Sequence, residues 1–305
     1  MIKYLRKTIK DEKVKTIKKF KPGLWIYVES PTQSEIEKLA ERFNLDIGLL
    51  ADATDPHEIP RLELDEEVYV FSRTPTSENG IVSSTPLLFV LGKDFFITIV
   101  QRKIPLFDKF FEDRIDFATT QKFKFFAKIF SEINSAYQVN LTNINKRLSH
   151  VIGNIEHIQN KDIAELIGYE QIANDLLSRL IQINGVLSIV SAGRSIKFNE
   201  DDKDLIEDVY LANGQLIDLT KNTLQSVKNL RDSYSTILTN NLNRVIKLLT
   251  TITVIFTIPT MVAGLWGMNV SVPFQESEHA FLIIMGIVVA LCGLLLYIFN
   301  KKDWF

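Results

Sequence analysis

The sequence predicts an α+β cytoplasmic domain followed by a long stalk helix and two C-terminal transmembrane helices. Three observations carry this reading. Leu248 to Gln275 and Ala280 to Phe299 contain no charged residue, in a chain that is 24 % charged overall. Strand signals are confined to residues 1–105, and beyond Pro105 the apolar residues step by threes and fours.

In residues 1–105, "GLWIYVES" (Gly23 to Ser30) reads as a strand. Ser30-Pro31-Thr32-Gln33 then reads as a helix start, with Ser30 as the hydroxyl cap, Pro31 at the first helical position and Gln33 three residues on. The helix "SEIEKLAERF" places Ile36, Leu39, Ala40 and Phe43 on one face. "EEVYVFSRT", "PLLFVLG" and "DFFITIVQ" read as strands, the last two joined by a turn at Gly92-Lys93.

Residues 106–199 read as a cytoplasmic helical region. "FFAKIFSEINSAYQVNLTNINKRLSHVIGNI" is one long helix, and a second stretch runs from about Asp162 to Ser191. The stalk, residues 200–247, carries a stripe of Val209, Leu216, Leu224, Val227, Tyr234, Leu238, Leu242 and Val245 that reaches Leu249. Asn213-Gly214 is a weak spot in it rather than a break. The helix runs into the first span without a loop, and about 65 residues at ~1.5 Å each give roughly 100 Å. Such a helix cannot bury its stripe alone, so a bundle and an oligomer are expected.

Residues 248–269 form the first span, 270–279 an extracytoplasmic loop, 280–299 the second span and 300–305 a basic cytoplasmic tail. About 20 apolar residues suffice to cross a hydrocarbon core of ~30 Å. Arg244 and Lys247 precede the first span and Lys301 and Lys302 follow the second, whereas the loop holds Glu276 and Glu278 and no Lys or Arg. Positive residues stay on the cytoplasmic side. Both termini are therefore expected in the cytoplasm of a multi-pass protein of the plasma (inner) membrane. The start, "MIKYLRKTIKDEKVKT", lacks the apolar core of a signal peptide.

Composition narrows the function classes. A net charge of −2 over 305 residues gives no reason to expect a nucleic-acid partner. Neither a phosphate-binding Gly-rich loop nor a dinucleotide fingerprint occurs, so ATP is not expected to drive the protein. His57, His150, His157 and His279 show no metal-ligand spacing and no Ser/His/Asp arrangement is evident, so an enzyme is not expected. The single Cys292 permits no intrachain disulfide and reads as packing or lipid-facing bulk.

The sharpest pattern lies in the first span. Asn243, Ile246, Thr250, Thr253, Thr257, Thr260 and Gly264 are spaced 3, 4, 3, 4, 3, 4 and share one helix stripe. Thr and Gly are common at helix–helix contacts in membranes. Polar side chains there also line bundle interiors and water-filled cavities. The spacing alone leaves both readings open.

The stretch that ends this span, "PTMVAGLWGMN" (Pro259 to Asn269), resembles the signature of the CorA family of magnesium transporters. Gly-Met-Asn alone is weak; at the outer end of the first of two terminal spans it is strong. The long helix, the tail "KKDWF" and "PHEIPRLE" ahead of a strand also fit. The chain departs from the pattern where Trp266 replaces Tyr, where Thr257 replaces the Met of several relatives, and where "VSVPFQESEH" lacks Met-Pro-Glu. The resemblance implies a CorA-like homopentameric channel in the lipid bilayer, with Gly267, Met268 and Asn269 as a selectivity filter for a hydrated divalent cation. It implies pore-lining roles for Asn243, Ile246, Leu249, Thr250, Thr253, Thr257, Thr260 and Gly264; the sequence leaves the rotation of the helix, and so the choice between Leu249 and Thr250, open. Glu276 and Glu278 would concentrate cations at the outer mouth, and Asp208 would hold a regulatory metal. The expected function is channel-like Mg2+ uptake driven by membrane potential and gated by cytosolic Mg2+, with no covalent cofactor; Co2+, Ni2+ or Zn2+ are further candidate ions. Two alternatives are Zn2+ transport, as in the family's zinc branch, and a membrane-tethered coiled-coil scaffold, which would need neither the Thr stripe nor Gly-Met-Asn.

Overall fold

The computed structural model describes residues 1–78, 81–153, 160–193, 199–273 and 278–302. Its elements run β1 (Ile2–Arg6), β2 (Lys15–Thr16), β3 (Leu24–Glu29), α1 (Gln33–Phe43), α2 (Ile47–Asp52), β4 (Leu62–Leu64), β5 (Val68–Glu78), β6 (Ile81–Leu91) and β7 (Phe95–Val100). A 3-10 turn (Pro105–Phe107) follows, then α3 (Asp108–Phe111), α4 (Lys122–Gly153), α5 (Asn160–Ser191), α6 (Glu200–Trp266) and α7 (Ala280–Lys301).

The strands form one seven-stranded sheet in the order β2-β1-β3-β7-β6-β5-β4. The β3–β7 pair is parallel, with Leu24 opposite Phe95 and Glu29 opposite Val100; the other described pairs are antiparallel. Every residue of β7 is buried, as expected for a central strand covered on both faces. On one face Ile26, Val28, Phe71 and Ile97 pack against Ile36, Leu39 and Leu50 of α1 and α2. On the other, Trp25, Tyr27, Phe89 and Phe96 pack against Phe125, Phe126 and Phe130 of α4. Trp25 is the hub: Phe125 meets it edge-on at 4.9 Å, Phe111 stacks at 5.5 Å, and its indole N–H donates to Thr98 Oγ1 at 3.1 Å. A buried Trp is tolerated because its one donor is satisfied.

The chain divides into two compact units, Met1–Leu230 and Arg231–Phe305. In the first, the aromatic core continues between α4, α5 and the start of α6, through Leu141, Leu180, Val209 and Leu216 to Leu230. Asn213 does not interrupt α6. Its side chain is fully buried and donates to Asn134 Oδ1 at 3.0 Å, while Asn134 donates to Val209 O at 3.1 Å, so the polar pair pins α6 onto α4. In the second unit the stripe loses its cover: Leu238, Leu242, Val245 and Leu249 are all more than half exposed.

The start of α1 differs from the sequence expectation. Thr32, not Ser30, is the cap, with Glu35 N–H donating to Thr32 Oγ1 and Thr32 N–H donating back to Glu35 Oε2 at 2.8 Å. Ser30 is occupied elsewhere. It turns the chain at φ 48° and its hydroxyl donates to Gln101 O at 2.8 Å. Strand β1, the short edge strands β2 and β4, and helix α2 were not expected; β2 is only a Lys-Thr dipeptide at the sheet margin. The stalk and first span are one helix that stops at Trp266, so Gly267, Met268 and Asn269 lie beyond its end.

Candidate ion-conduction site

The apolar part of α6 and all of α7 are long and apolar enough to cross a membrane. In the apolar part of α6, from Leu248 on, the half-buried positions are Val254, Ile255, Ile258, Pro259, Val262 and Trp266, with Thr251 fully buried. On α7 they are Ile284, Val288, Cys292, Leu295 and Phe299. These stripes meet where Cys292 Sγ lies 3.8 Å from Ile255 O. Asn243, Ile246, Leu249, Thr250, Thr253, Thr257, Thr260 and Gly264 are exposed. At ~100° per residue the two α6 stripes are centred roughly 150° apart. The polar stripe therefore faces away from α7, and contact with the other span of the same chain does not account for it.

The threonine hydroxyls are oriented by the helix itself. Thr253 donates to Leu249 O at 2.8 Å, Thr257 to Thr253 O at 2.7 Å and Thr260 to Phe256 O at 2.8 Å. A hydroxyl has one proton and two lone pairs. Once the proton is committed to the carbonyl one turn back, the oxygen presents only acceptor character to its surroundings. Ile246 and Leu249 put an apolar segment ahead of these acceptors, 51 % and 64 % exposed.

Pro259 sits inside the helix. Proline has no N–H, so the carbonyl four residues earlier loses its helical partner. That carbonyl is Ile255 O, the group to which the Cys292 thiol donates. Cys292 is thus more than the bulk expected of it: it supplies from α7 the donor that Pro259 removes from α6. Neighbouring helices commonly satisfy backbone groups freed by proline in a membrane.

At the end of α6, Gly267 N–H donates to Ala263 O at 2.9 Å and Met268 N–H to Leu265 O at 3.4 Å. A Cβ on Gly267 would lie 3.1 Å from Ala263 O, a tight approach to the last turn that glycine avoids. The Trp266 indole donates to Pro273 O at 3.3 Å and ties the following segment back. Met268 and Asn269 are exposed just past this closure, as is Glu278; Glu276 lies outside the described residues.

In the first unit, Asp208 is exposed and lines a groove of about 450 Å³ between α4 and α6, with Ser131, Asn134, Gln138 and Gln215. Among the described residues, no three His, Cys, Asp or Glu side chains converge where a metal ion would sit. One chain thus offers Asp208 with neutral oxygen donors around it.

An α+β unit, a helix that continues from it into an apolar span, and a second span from which the first span's polar stripe is turned away are the features of a two-span membrane transport protein. The chain belongs to the CorA-like Mg2+ transporter protein family, which matches residues 21–302. It is 25 % identical over 290 residues to a cobalt/magnesium transport protein CorA of Methanocaldococcus jannaschii, covering 92 % of this chain and 91 % of that one. In fold it is similar to the complete structure of the CorA magnesium transporter from the same organism, with a TM-score of 0.87 at 21 % identity over 100 % of this chain and 99 % of that one. The ZntB cytoplasmic domain of Vibrio parahaemolyticus is similar at a TM-score of 0.64 and 10 % identity, over 77 % of this chain and 98 % of that domain.

Proposed function

We propose that the chain is one subunit of a homopentameric channel that carries hydrated Mg2+ into the cytoplasm. The observation that carries this reading is the stripe of exposed threonine acceptors, turned away from α7 and ending at Gly267-Met268-Asn269. Mg2+ gives up its waters reluctantly. The waters around it point their protons outward, and acceptor-only threonine oxygens and a ring of Asn269 amide oxygens suit those protons without stripping the ion. Carboxylates at the same point would hold a divalent ion too tightly for release. Glu276 and Glu278, in the loop, would raise the local cation concentration.

With both termini in the cytoplasm of the plasma membrane, the membrane potential drives entry. A divalent cation gains about 4.6 kcal/mol per 100 mV, twice the value for one charge, and no ATP is needed. Cytosolic Mg2+ at Asp208 stabilises the closed state; unchanged inhibition of current in Asp208→Ala rules that role out. A second reading, left open by the sequence, is Zn2+ as cargo.

Reconstitution in liposomes with an internal Mg2+ dye tests the proposal. Asn269→Ala is expected to cut voltage-driven Mg2+ entry by roughly tenfold or more, the factor represented by ~1.4 kcal/mol lost at the filter. Entry unchanged in the variant removes the filter assignment. Zn2+ entry tied to a proton gradient, without Mg2+ entry, selects the second reading, and no flux of either ion selects a scaffold.

A further inference from the structure

A cleft of about 500 Å³ lies in the first unit at the starts of β3 and β7 and of α4, and no role in ion passage accounts for its lining. Four cationic side chains line it: Arg6 from β1, Lys93 from the β6–β7 turn, and Lys122 and Lys124 from the start of α4. Asp94 and Asp202 are the acidic residues of the lining. The lining is therefore net positive in a chain whose total charge is −2. Arg6 belongs to a lysine-rich segment with nine Lys or Arg and two acidic residues between Lys3 and Lys21, of which Lys7 and Lys15 are paired with Asp113 and Asp11 and Arg6 alone lines the cleft.

The cations are only partly neutralised by the protein. Arg6 uses Nε on Pro22 O at 3.0 Å, and its other four N–H groups have no protein partner among the described residues. Among the described residues neither Lys93 nor Lys124 makes a direct ion pair, and the charge of Lys124 acts on Asp202 of the same lining. Lys122 is half-buried, and its ammonium donates to Gly92 O at 2.6 Å and Lys93 O at 3.3 Å, neutral carbonyls rather than a carboxylate. Burial pushes its pKa down, and the nearby Glu67 and Asp94 carboxylates offset only part of that. Lysines on an edge strand commonly serve to block edge-to-edge pairing. That explains Lys15 on β2, but not cations drawn from three separate elements into one cleft.

The walls are held before any ligand arrives. Gly23 sits at φ 78°, where a Cβ would meet Thr120 at 2.6 Å. Its N–H donates to Asp94 O at 2.8 Å, and its carbonyl accepts from the Thr119 hydroxyl at 2.6 Å. The first turn of α4 lines the same cleft, and such a turn has N–H groups without partners inside the helix. A cleft of this volume is of ligand size.

We propose that this cleft binds a phosphorylated small anion, a nucleotide or a short inorganic polyphosphate, through its phosphate groups. Arg6 supplies the planar fork suited to phosphate oxygens, and the lysines supply point charges around it. The proposal is independent of the transport reading, because its readout is binding alone.

Calorimetric titration of the full chain in detergent micelles, in Mg2+-free buffer, tests it with ATP and with inorganic tripolyphosphate as probes. The expected result is saturable binding of at least one of them. Lys93→Gln with Lys124→Gln should weaken that binding by roughly tenfold or more, as for the loss of charge-assisted hydrogen bonds. Asp94→Asn should tighten it, a direction that misfolding does not produce. ATP binding tenfold or more above tripolyphosphate assigns a nucleotide; equal binding assigns the phosphate chain itself. Absence of binding at millimolar concentrations of both probes, or wild-type affinity in the double lysine variant, overturns the proposal.

Discussion

Lys7 shows how single residues are placed in this protein. Its side chain is 5 % exposed, and its ammonium lies 2.8 Å from Asp113 Oδ1. Asp113 turns the chain at φ 53° and also accepts from Val14 N–H at 3.0 Å, so one carboxylate anchors both β1 and the lysine-rich segment. Removing one partner of a buried pair leaves an uncompensated charge and costs about 3–5 kcal/mol. Asp113→Ala should therefore lower the melting temperature sharply, with Asp113→Asn falling in between, since Asn keeps an acceptor and tolerates positive φ. A melting curve like that of the wild type in Asp113→Ala would show that the pair contributes little. None of this is visible in the sequence, where Lys7 is one of many lysines and its partner lies 106 positions away. The helix cap is similar. Ser30-x-x-Gln33 and Thr32-x-x-Glu35 are both capping patterns. The choice between them rests on the Ser30–Gln101 bond, a contact across the sheet.

At the scale of elements, α6 was the most legible. Its 3.6-residue periodicity, its acidic first turn at Glu200, Asp201 and Asp202, and the threonine spacing are all local properties of one helix. Helices α4 and α5 were legible for the same reason. The short strands were not. Three-residue β4 and two-residue β2 carry too little apolar pattern, and they exist because longer neighbours offer them hydrogen bonds. The link between α6 and α7 was equally hidden. Pro259 marks an orphaned carbonyl in any helix, but only the packing identifies Cys292 as its donor. Cys292→Ala should destabilise the helix pair by about 0.6 kcal/mol, the usual scale of such bonds between membrane helices, while Cys292→Ser should retain the donor. Steric-trap or denaturant titration in micelles separates them; equal stability of Ala and Ser variants would show the thiol to be mere bulk.

For the whole molecule, the division at Leu230 makes a direct prediction. The aromatic core and its extension along α4, α5 and α6 use no residue beyond Leu230. Residues 1–230 expressed alone should be soluble and melt in one cooperative transition. An aggregated or gradually melting fragment would show that the core needs the apolar unit. The division into charged and apolar parts was readable from charge alone. The exposure of Leu238, Leu242, Val245 and Leu249 in one chain accords with the oligomer expected from the stripe, since a helix face of this kind is stable only when covered.

The parallel pairing of β3 with β7, and the stacking of Trp25 against Phe125, set an order of events on the ribosome. Strand β3 is made early, yet its partner strand and the ring that meets Trp25 at 4.9 Å come up to a hundred residues later. At about 5–20 residues per second this leaves Trp25 and Tyr27 without their native cover for roughly 5–20 s of synthesis. A translational pause between residues 30 and 125 would prolong that interval and favour aggregation of the nascent chain. A pause after residue 230 would find the first unit already closed, so only the earlier kind of silent codon change should lower yield.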